Sequence, residues 1–309
     1  MIPIYHTPVL CKEVVEYLVG KEDGIYVDGT LGGGGHAEAI LQKIYPKGML
    51  IGIDADLDAH NTAQNRLIKY QSNIIFVRDN TVNIVSILKA NNIPAIQGLV
   101  LDLGVSSHQL DATEKGFSFR SDDVLDMRMD RRQRLDAAHI VNSYSQQDLA
   151  TLFWNYGEEK KSRRIARAIV DRRVAVPIRT TRDLAVIVEK HVGPQFLVKS
   201  MARIFQALRI EVNNELGNLS DILKMTLGVL ATGGRIVVIS YHSLEDRIVK
   251  KFFQDESATS IPSGHKLVAD TPRTPRLRIL TRKPVLAPPE ERRKNPRSRS
   301  AKMRVAERL

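Results

Sequence analysis

Between Ile25 and Ile40 the chain reads IYVDGTLGGGGHAEAI, a short apolar run, four consecutive glycines and a helical pattern. In the loop that leaves the first strand of a doubly wound sheet, glycine lets the main chain take positive φ and approach a nucleotide-bearing ligand closely. The next apolar run, MLIGID, ends at Asp54. An acidic residue about 20 positions beyond such glycines is placed to accept hydrogen bonds from ribose hydroxyls. Together they predict an adenosine-containing ligand. They do not separate a nicotinamide dinucleotide from S-adenosylmethionine, and Gly32, Gly34 and Ala37 match the dinucleotide pattern G-x-G-x-x-A only loosely. Further on, GLVLDLGVSSHQLD delivers Asp102 at the end of another strand and follows it with Gly104, Ser106 and Ser107, small groups where a transferred group would lie.

These residues need a parallel sheet to bring them to one edge. Short β-rich runs at 24–28, 49–54, 73–77 and 98–102 alternate with helical patterns, the rhythm of strands joined by crossover helices. From about Phe117 to Gly217 the strand signals vanish. Ser145 with Asp148 opens one helix in capping-box style, and residues 158–173, 181–190 and 199–216 predict three more. After a helix over 218–231 the sheet rhythm returns with RIVVIS, Arg235 to Ser240. The expected organisation is a sheet domain in two parts, 1–110 and 218–309, around an inserted helical substrate-recognition domain, 111–217. A Pro/Arg-rich stretch over about 260–300 is the low-complexity candidate.

The formal charge of +11 is concentrated at one end: residues 271–309 hold 13 Lys and Arg against 3 Asp and Glu, which leaves the remainder nearly neutral. A basic segment of this kind is the footprint expected for a polyanion, with a solubilising tail as the bland alternative. Cys11 is the sole cysteine, so no intramolecular disulfide forms, and no apolar run approaches the roughly 18 residues of a membrane span. A soluble, cytoplasmic protein is the expectation.

The stretches VDGTLGGGGH, LDLGVSSHQLD, GFSFR, LDMRMD, YGEEKKSRRIARAIV, ISYHSLEDRIVK and NPRSRSAKMRVAER run from end to end of the chain. In this order they resemble the signatures of the bacterial 16S rRNA cytosine-N4 methyltransferases, the MraW family. The resemblance implies a class I methyltransferase fold, α/β and Rossmann-like with a seven-stranded sheet, interrupted by a helical domain. It also implies S-adenosyl-L-methionine as cofactor and 16S rRNA of the small ribosomal subunit as partner. By motif, Gly34, Gly35, His36, Asp54, Asp102 and Gln109 would contact the cofactor, and Thr81 stands where the family often has an aromatic.

The residues bear on the chemistry independently. Methylation at cytosine C5 needs a cysteine nucleophile, and Cys11 lies in the N-terminal helical pattern instead of after a strand. A nitrogen or oxygen target remains, for which in-line positioning is the main need. The N4 amine is a poor nucleophile because its lone pair is delocalised into the ring. A carboxylate accepting an N4 hydrogen would localise that pair, with Asp102 the first candidate and Ser106 and His242 beside it; Asp102 holding only the cofactor is the alternative. Flat side chains that could hold the base are Phe117, Phe119, Tyr241 and His242. In the inserted block Ile165, Ala168 and Ile169 share one helical face, leaving Lys161, Arg164 and Arg172 on others as an RNA-facing or simply solvated surface. DMRMD reads as a salt-bridged loop, and no cluster has metal-ligand spacing. An NAD-dependent oxidoreductase would share the glycine loop and Asp54 but leaves the basic C-terminus unexplained. A non-catalytic ribosome-assembly factor would keep the pocket without the reaction.

Overall fold

The computed structural model describes residues 8–105, 115–264 and 269–309. In chain order the elements are α1 (Cys11–Leu18), β1 (Ile25–Asp28), α2 (Gly35–Ile44), β2 (Met49–Ile53), α3 (Leu57–Arg66), β3 (Ile74–Val77), α4 (Ile84–Ala90) and β4 (Ile96–Asp102). Then follow α5 (Ala137–Ser143), α6 (Gln146–Asn155), α7 (Ser162–Ala175), α8 (Thr181–His191), α9 (Leu197–Asn213) and α10 (Glu215–Val229). The chain closes with β5 (Leu230–Ser240), α11 (Ser243–Ser257), β6 (Ser260–Ile261), β7 (Thr271–Pro272), β8 (Leu277–Ile279), α12 (Pro289–Lys294) and β9 (Lys302–Arg308). It divides into two compact units, one of Met1–Gly104 with Leu216–Leu309 and the other Val105–Glu215.

The first unit is built on a seven-stranded sheet in the order β3-β2-β1-β4-β5-β9-β8. From β3 to β5 every pairing is parallel, and β9 joins β5 and β8 antiparallel. A parallel strand covered on both faces must be apolar on both. That is why LVL in β4 and IVVI in β5 are continuous apolar runs. Successive residues alternate between two cores: Val100, Val237 and Ile239 pack with α1 and α2, whereas Leu99, Leu101, Ile236 and Val238 pack with α4, α10 and α11. The strand order reverses between β1 and β4, the neighbours that carry Asp28 and Asp102 at their carboxyl ends, and ligands of open α/β sheets bind at such a switch point.

Two strands of this sheet were hidden from sequence reading, β8 and β9, as was the separate short pair β6 and β7. KMRVAER forms β9, whose interior positions 303–307 are all buried even though Arg304 and Glu307 are among them. Arg304 donates from Nε to Asp246 Oδ1 at 2.6 Å, and Glu307 accepts from Arg235 and Arg278, so the charges are paired in place. The basic C-terminal segment is therefore not a free tail. Arg273 and Arg276 bind Glu256, and Arg308 donates to the Leu227 and Leu230 carbonyls. Exposed basic groups do remain at Arg282, Lys283, Arg293 and Arg299.

The second unit is helical and packs one core from Phe117 to Val212. Ser145 caps α6 by accepting from the Asp148 N–H at 3.1 Å, and Thr180 with Asp183 forms a full capping box on α8. The short helix α5, capped by Asp136, had no sequence signal long enough to separate it from a loop. On α7, Ile165, Ala168 and Ile169 are buried while Arg164 and Arg172 are exposed. In DMRMD the Asp126 carboxylate takes a bidentate pair from Arg128, which holds it below the usual carboxylate range against the opposing effect of burial. Among the described residues no helix is long and apolar enough to cross a membrane.

Candidate active site

The carboxyl ends of β1, β2 and β4 and the residue after β5 deliver Asp28, Asp54, Asp102 and Tyr241. The glycine loop is tied to the ends of β2 and β4. Gly32 donates its N–H to Asp54 Oδ2 at 2.8 Å, and the other oxygen of Asp54 accepts from the Asp56 N–H at 2.9 Å. Leu31 donates to the Ile53 carbonyl at 3.1 Å, and the Asp102 N–H donates to Thr30 Oγ1 at 2.7 Å. Asp54 thus organises the loop as well as presenting a carboxylate at the edge of the sheet.

The glycines differ in purpose. Gly32 and Gly34 have φ of 49° and 76°, the region that disfavours a side chain. At Gly34, the cap of α2, a Cβ would meet Leu67 Cδ1 at 3.2 Å, and at Gly35 it would meet Pro8 Cγ at 3.1 Å. Those two positions are bare because the first core closes against them. At Gly32 a Cβ would meet only the Thr30 carbonyl, at 3.6 Å, so this is the glycine that leaves room for a ligand.

His36, 6% exposed, sits in the first turn of α2. Its Nε2 donates to the Val9 carbonyl, which can only accept, at 2.8 Å, and its Nδ1 faces Asp102 Oδ2 at 3.7 Å. Asp102 Oδ1 accepts from the Tyr241 hydroxyl at 2.7 Å. Burial raises the Asp102 pKa above its ordinary value, opposed by His36 and by the Tyr241 hydrogen bond. Burial also raises the Tyr241 phenol, reinforced by the Asp102 charge.

Asp28 is a functional candidate that sequence reading passed over. Only 1% exposed, it accepts from the Thr30 N–H on Oδ1 at 3.1 Å, while Oδ2 is buried without a partner. Burial pushes its pKa up to about 6. An orphaned buried carboxylate oxygen costs free energy until a donor arrives. The available signal was an acid placed directly before the glycine turn, in VDGT.

Other expected residues fall differently. Thr81 is 6% exposed and its hydroxyl donates to the Gly29 carbonyl, so it supports the loop from below. His242 is the cap of α11: its Nδ1 accepts from the Glu245 N–H at 3.4 Å, and its Nε2 lies 3.2 Å from Glu245 Oε1. Both ring nitrogens are turned to Glu245. Ser106, Ser107, His108 and Gln109 lie outside the described residues. Phe117 is buried in the core of the second unit. Phe119 meets Phe205 edge-on at 5.5 Å, and both line a pocket of about 210 Å³ with Met127, Gln206 and Arg209.

A family model described as the MraW methylase family matches residues 3–309. Similar curated proteins include three named ribosomal RNA small subunit methyltransferase H. The one from Chloroherpeton thalassium is 45% identical over the whole of both chains. The one from Dehalococcoides mccartyi strain BAV1 is 46% identical, covering all of this chain and 88% of the relative. The third, from Clostridium botulinum strain Loch Maree, is 45% identical over 98% of this chain and 99% of its own.

Proposed function

The chain belongs to the MraW methylase family and is an S-adenosylmethionine-dependent 16S rRNA methyltransferase; we propose that it methylates the exocyclic N4 amine of one cytidine, with Asp102 as the acceptor facing that amine. The observation that carries this reading is the asymmetry of Asp102: one oxygen is held by a phenol at 2.7 Å, and the other lies 3.7 Å from the imidazole nitrogen that faces it, beyond hydrogen-bond distance. At that distance Oδ2 makes no hydrogen bond to the imidazole and can accept one from a ligand.

The residues present suit the cofactor. The orphaned Asp28 Oδ2 calls for a donor such as an ammonium group, Gly32 leaves space for a ligand at the loop, and Asp54 ends β2 where ribose hydroxyls would be met. When bound, S-adenosylmethionine supplies an electrophilic methyl on a sulfonium sulfur. The rest of the task falls to the protein. As the N4–carbon bond forms and the sulfur–carbon bond breaks, positive charge develops on N4 and one N4 proton must leave. A carboxylate accepting that N–H localises the lone pair beforehand and takes the proton afterwards, and burial makes Asp102 the stronger base for it. The N–H donors of Gly32 and Asp56 keep Asp54 in place, so cofactor and base do not compete for one carboxylate.

Neither an oxidoreductase nor a non-catalytic assembly factor gains support from the family match. The small ribosomal subunit as partner, through its 16S rRNA, and a cytoplasmic location complete the proposal. The test is label transfer from methyl-labelled S-adenosylmethionine to small-subunit rRNA, with the modified base identified by mass spectrometry. Asp102→Asn should lower the single-turnover rate at saturating cofactor and rRNA by about 100-fold while cofactor affinity changes far less. A near wild-type rate with a large loss of affinity would make Asp102 a cofactor ligand alone.

A further inference from the structure

Tyr241 follows β5 on the loop into α11, and sequence reading offers its ring as a surface for a base. In the folded protein the hydroxyl is directed at Asp102 and the residue is half-buried. The backbone of the same residue donates to Glu245 Oε2 at 2.8 Å, which anchors the loop to the first turn of α11. A phenol held at its backbone and aimed at a carboxylate 139 positions earlier is a built contact, not a surface encounter.

The consequence concerns the rotation of the Asp102 carboxylate. With Oδ1 occupied by the phenol, Oδ2 is turned toward His36 Nδ1 at 3.7 Å, beyond hydrogen-bond distance, while Nε2 of the ring donates to Val9. Without the phenol, neither oxygen would be distinguished. We propose that Tyr241 is a positioning residue for methyl transfer, holding Oδ1 so that Oδ2 meets the N4 hydrogen. This rests on Asp102 being the acceptor of that hydrogen. The other charged groups around Asp102 are His36 on α2, Asp28 at the end of β1, Glu245 on α11 and Arg297 in the turn before β9. His36 and Arg297 favour the charged carboxylate and Glu245 opposes it. None of the four is altered by removing the phenol oxygen.

Tyr241→Phe keeps the ring and deletes the donor. The first measurement needs no cofactor: the carboxyl carbon of Asp102 is titrated by NMR in the ligand-free protein, its signal assigned by its loss in Asp102→Asn. A hydrogen bond to a charged group corresponds to about one to two pH units, so the Asp102 midpoint should rise by that amount in Tyr241→Phe. The second measurement is the single-turnover rate against pH at saturating cofactor and rRNA. Its acid limb should move up by the same amount, costing about 10-fold on the acid side of the wild-type midpoint and recovering toward wild type above the variant's own midpoint. In the Asp102→Asn background Tyr241→Phe should add nothing further.

An unmoved midpoint, a rate lowered equally at every pH, or additive effects in the double variant would overturn the inference. Replacing tyrosine throughout by 3-fluorotyrosine, a stronger donor, should shift the midpoint downward even if the phenylalanine variant does not fold. No shift there would overturn it as well. Wild-type protein whose rate has no acid limb would instead remove Asp102 as acceptor, and the inference with it.

Discussion

Asp54→Asn separates two roles that one carboxylate combines. The side chain holds the glycine loop through Gly32 at 2.8 Å and opens the turn into α3 through Asp56 at 2.9 Å, one oxygen for each N–H. An asparagine has one acceptor oxygen, so whichever N–H keeps its partner, the other faces an amide NH2. One charge-assisted bond disappears and two donors face each other instead, about 2 kcal/mol at a half-buried site where water can partly compensate. For a unit of this size that lowers the melting temperature by about 4–8 °C. Because the same loop must be ordered for binding and the proposed ribose acceptor is weakened too, S-adenosylmethionine affinity should fall about 30-fold. Differential scanning calorimetry on ligand-free protein and isothermal titration with the cofactor supply the two numbers, with the exposed Asp58→Asn as control. A variant with wild-type melting but weakened binding would show that the loop does not depend on Asp54. Wild-type values for both would remove Asp54 from the site.

Asp28 carries a pH dependence of opposite sign to the usual carboxylate. Its folded-state pKa is raised to about 6, so its contribution to stability is present at low pH and lost as pH climbs from about 4 through 6. Asp28→Asn should therefore gain up to about 3 kcal/mol on wild type above pH 6 in the ligand-free protein while binding the cofactor more weakly; parallel melting curves from pH 4 to 8 would refute this. Asp246, held below the usual carboxylate range by Arg304 against the effect of burial, behaves conversely. Asp246→Asn leaves Arg304, 8% exposed, without its charged partner and should cost about 3–5 kcal/mol at neutral pH but little at a pH low enough to protonate the wild-type carboxylate. Equal costs at both pH values would assign the destabilisation to packing. Changing Arg282, Lys283 and Arg293 together to Gln should flatten the salt dependence of RNA binding by about 0.7 for each phosphate that is no longer neutralised. An unchanged slope would return those side chains to solvent.

Much of the site's frame follows from local pattern. A strand buried on both faces must be an apolar run, and the first polar residue after such a run marks the sheet edge. Asp54 and Asp102 were legible for that reason: MLIGI and LVL end where the carboxylates begin. The same logic fails for β9, because Arg304 and Glu307 are buried by pairing with Asp246, Arg235 and Arg278, partners that no local period announces. Nor does it announce that Leu67 and Pro8 crowd the positions of Gly34 and Gly35 in the glycine loop.

What each side chain does once delivered to the edge is decided by contacts across the sheet. His242 and Tyr241 are neighbours in ISYHSLED and were equally good candidates by type, yet one caps α11 and the other reaches Asp102. The difference arises because the chain turns between β5 and α11. Glu245 reaches back to the backbone N–H groups of both residues and takes the imidazole for the helix cap, whereas the phenol extends to the end of β4. The carboxylate proposed to accept the N4 proton is thereby supported by a donor just past the end of a different strand, and that arrangement depends on β4 and β5 lying side by side with Asp102 opposite Ile239. Substitutions that shift this register should impair methyl transfer without touching any residue that meets the cofactor or the base.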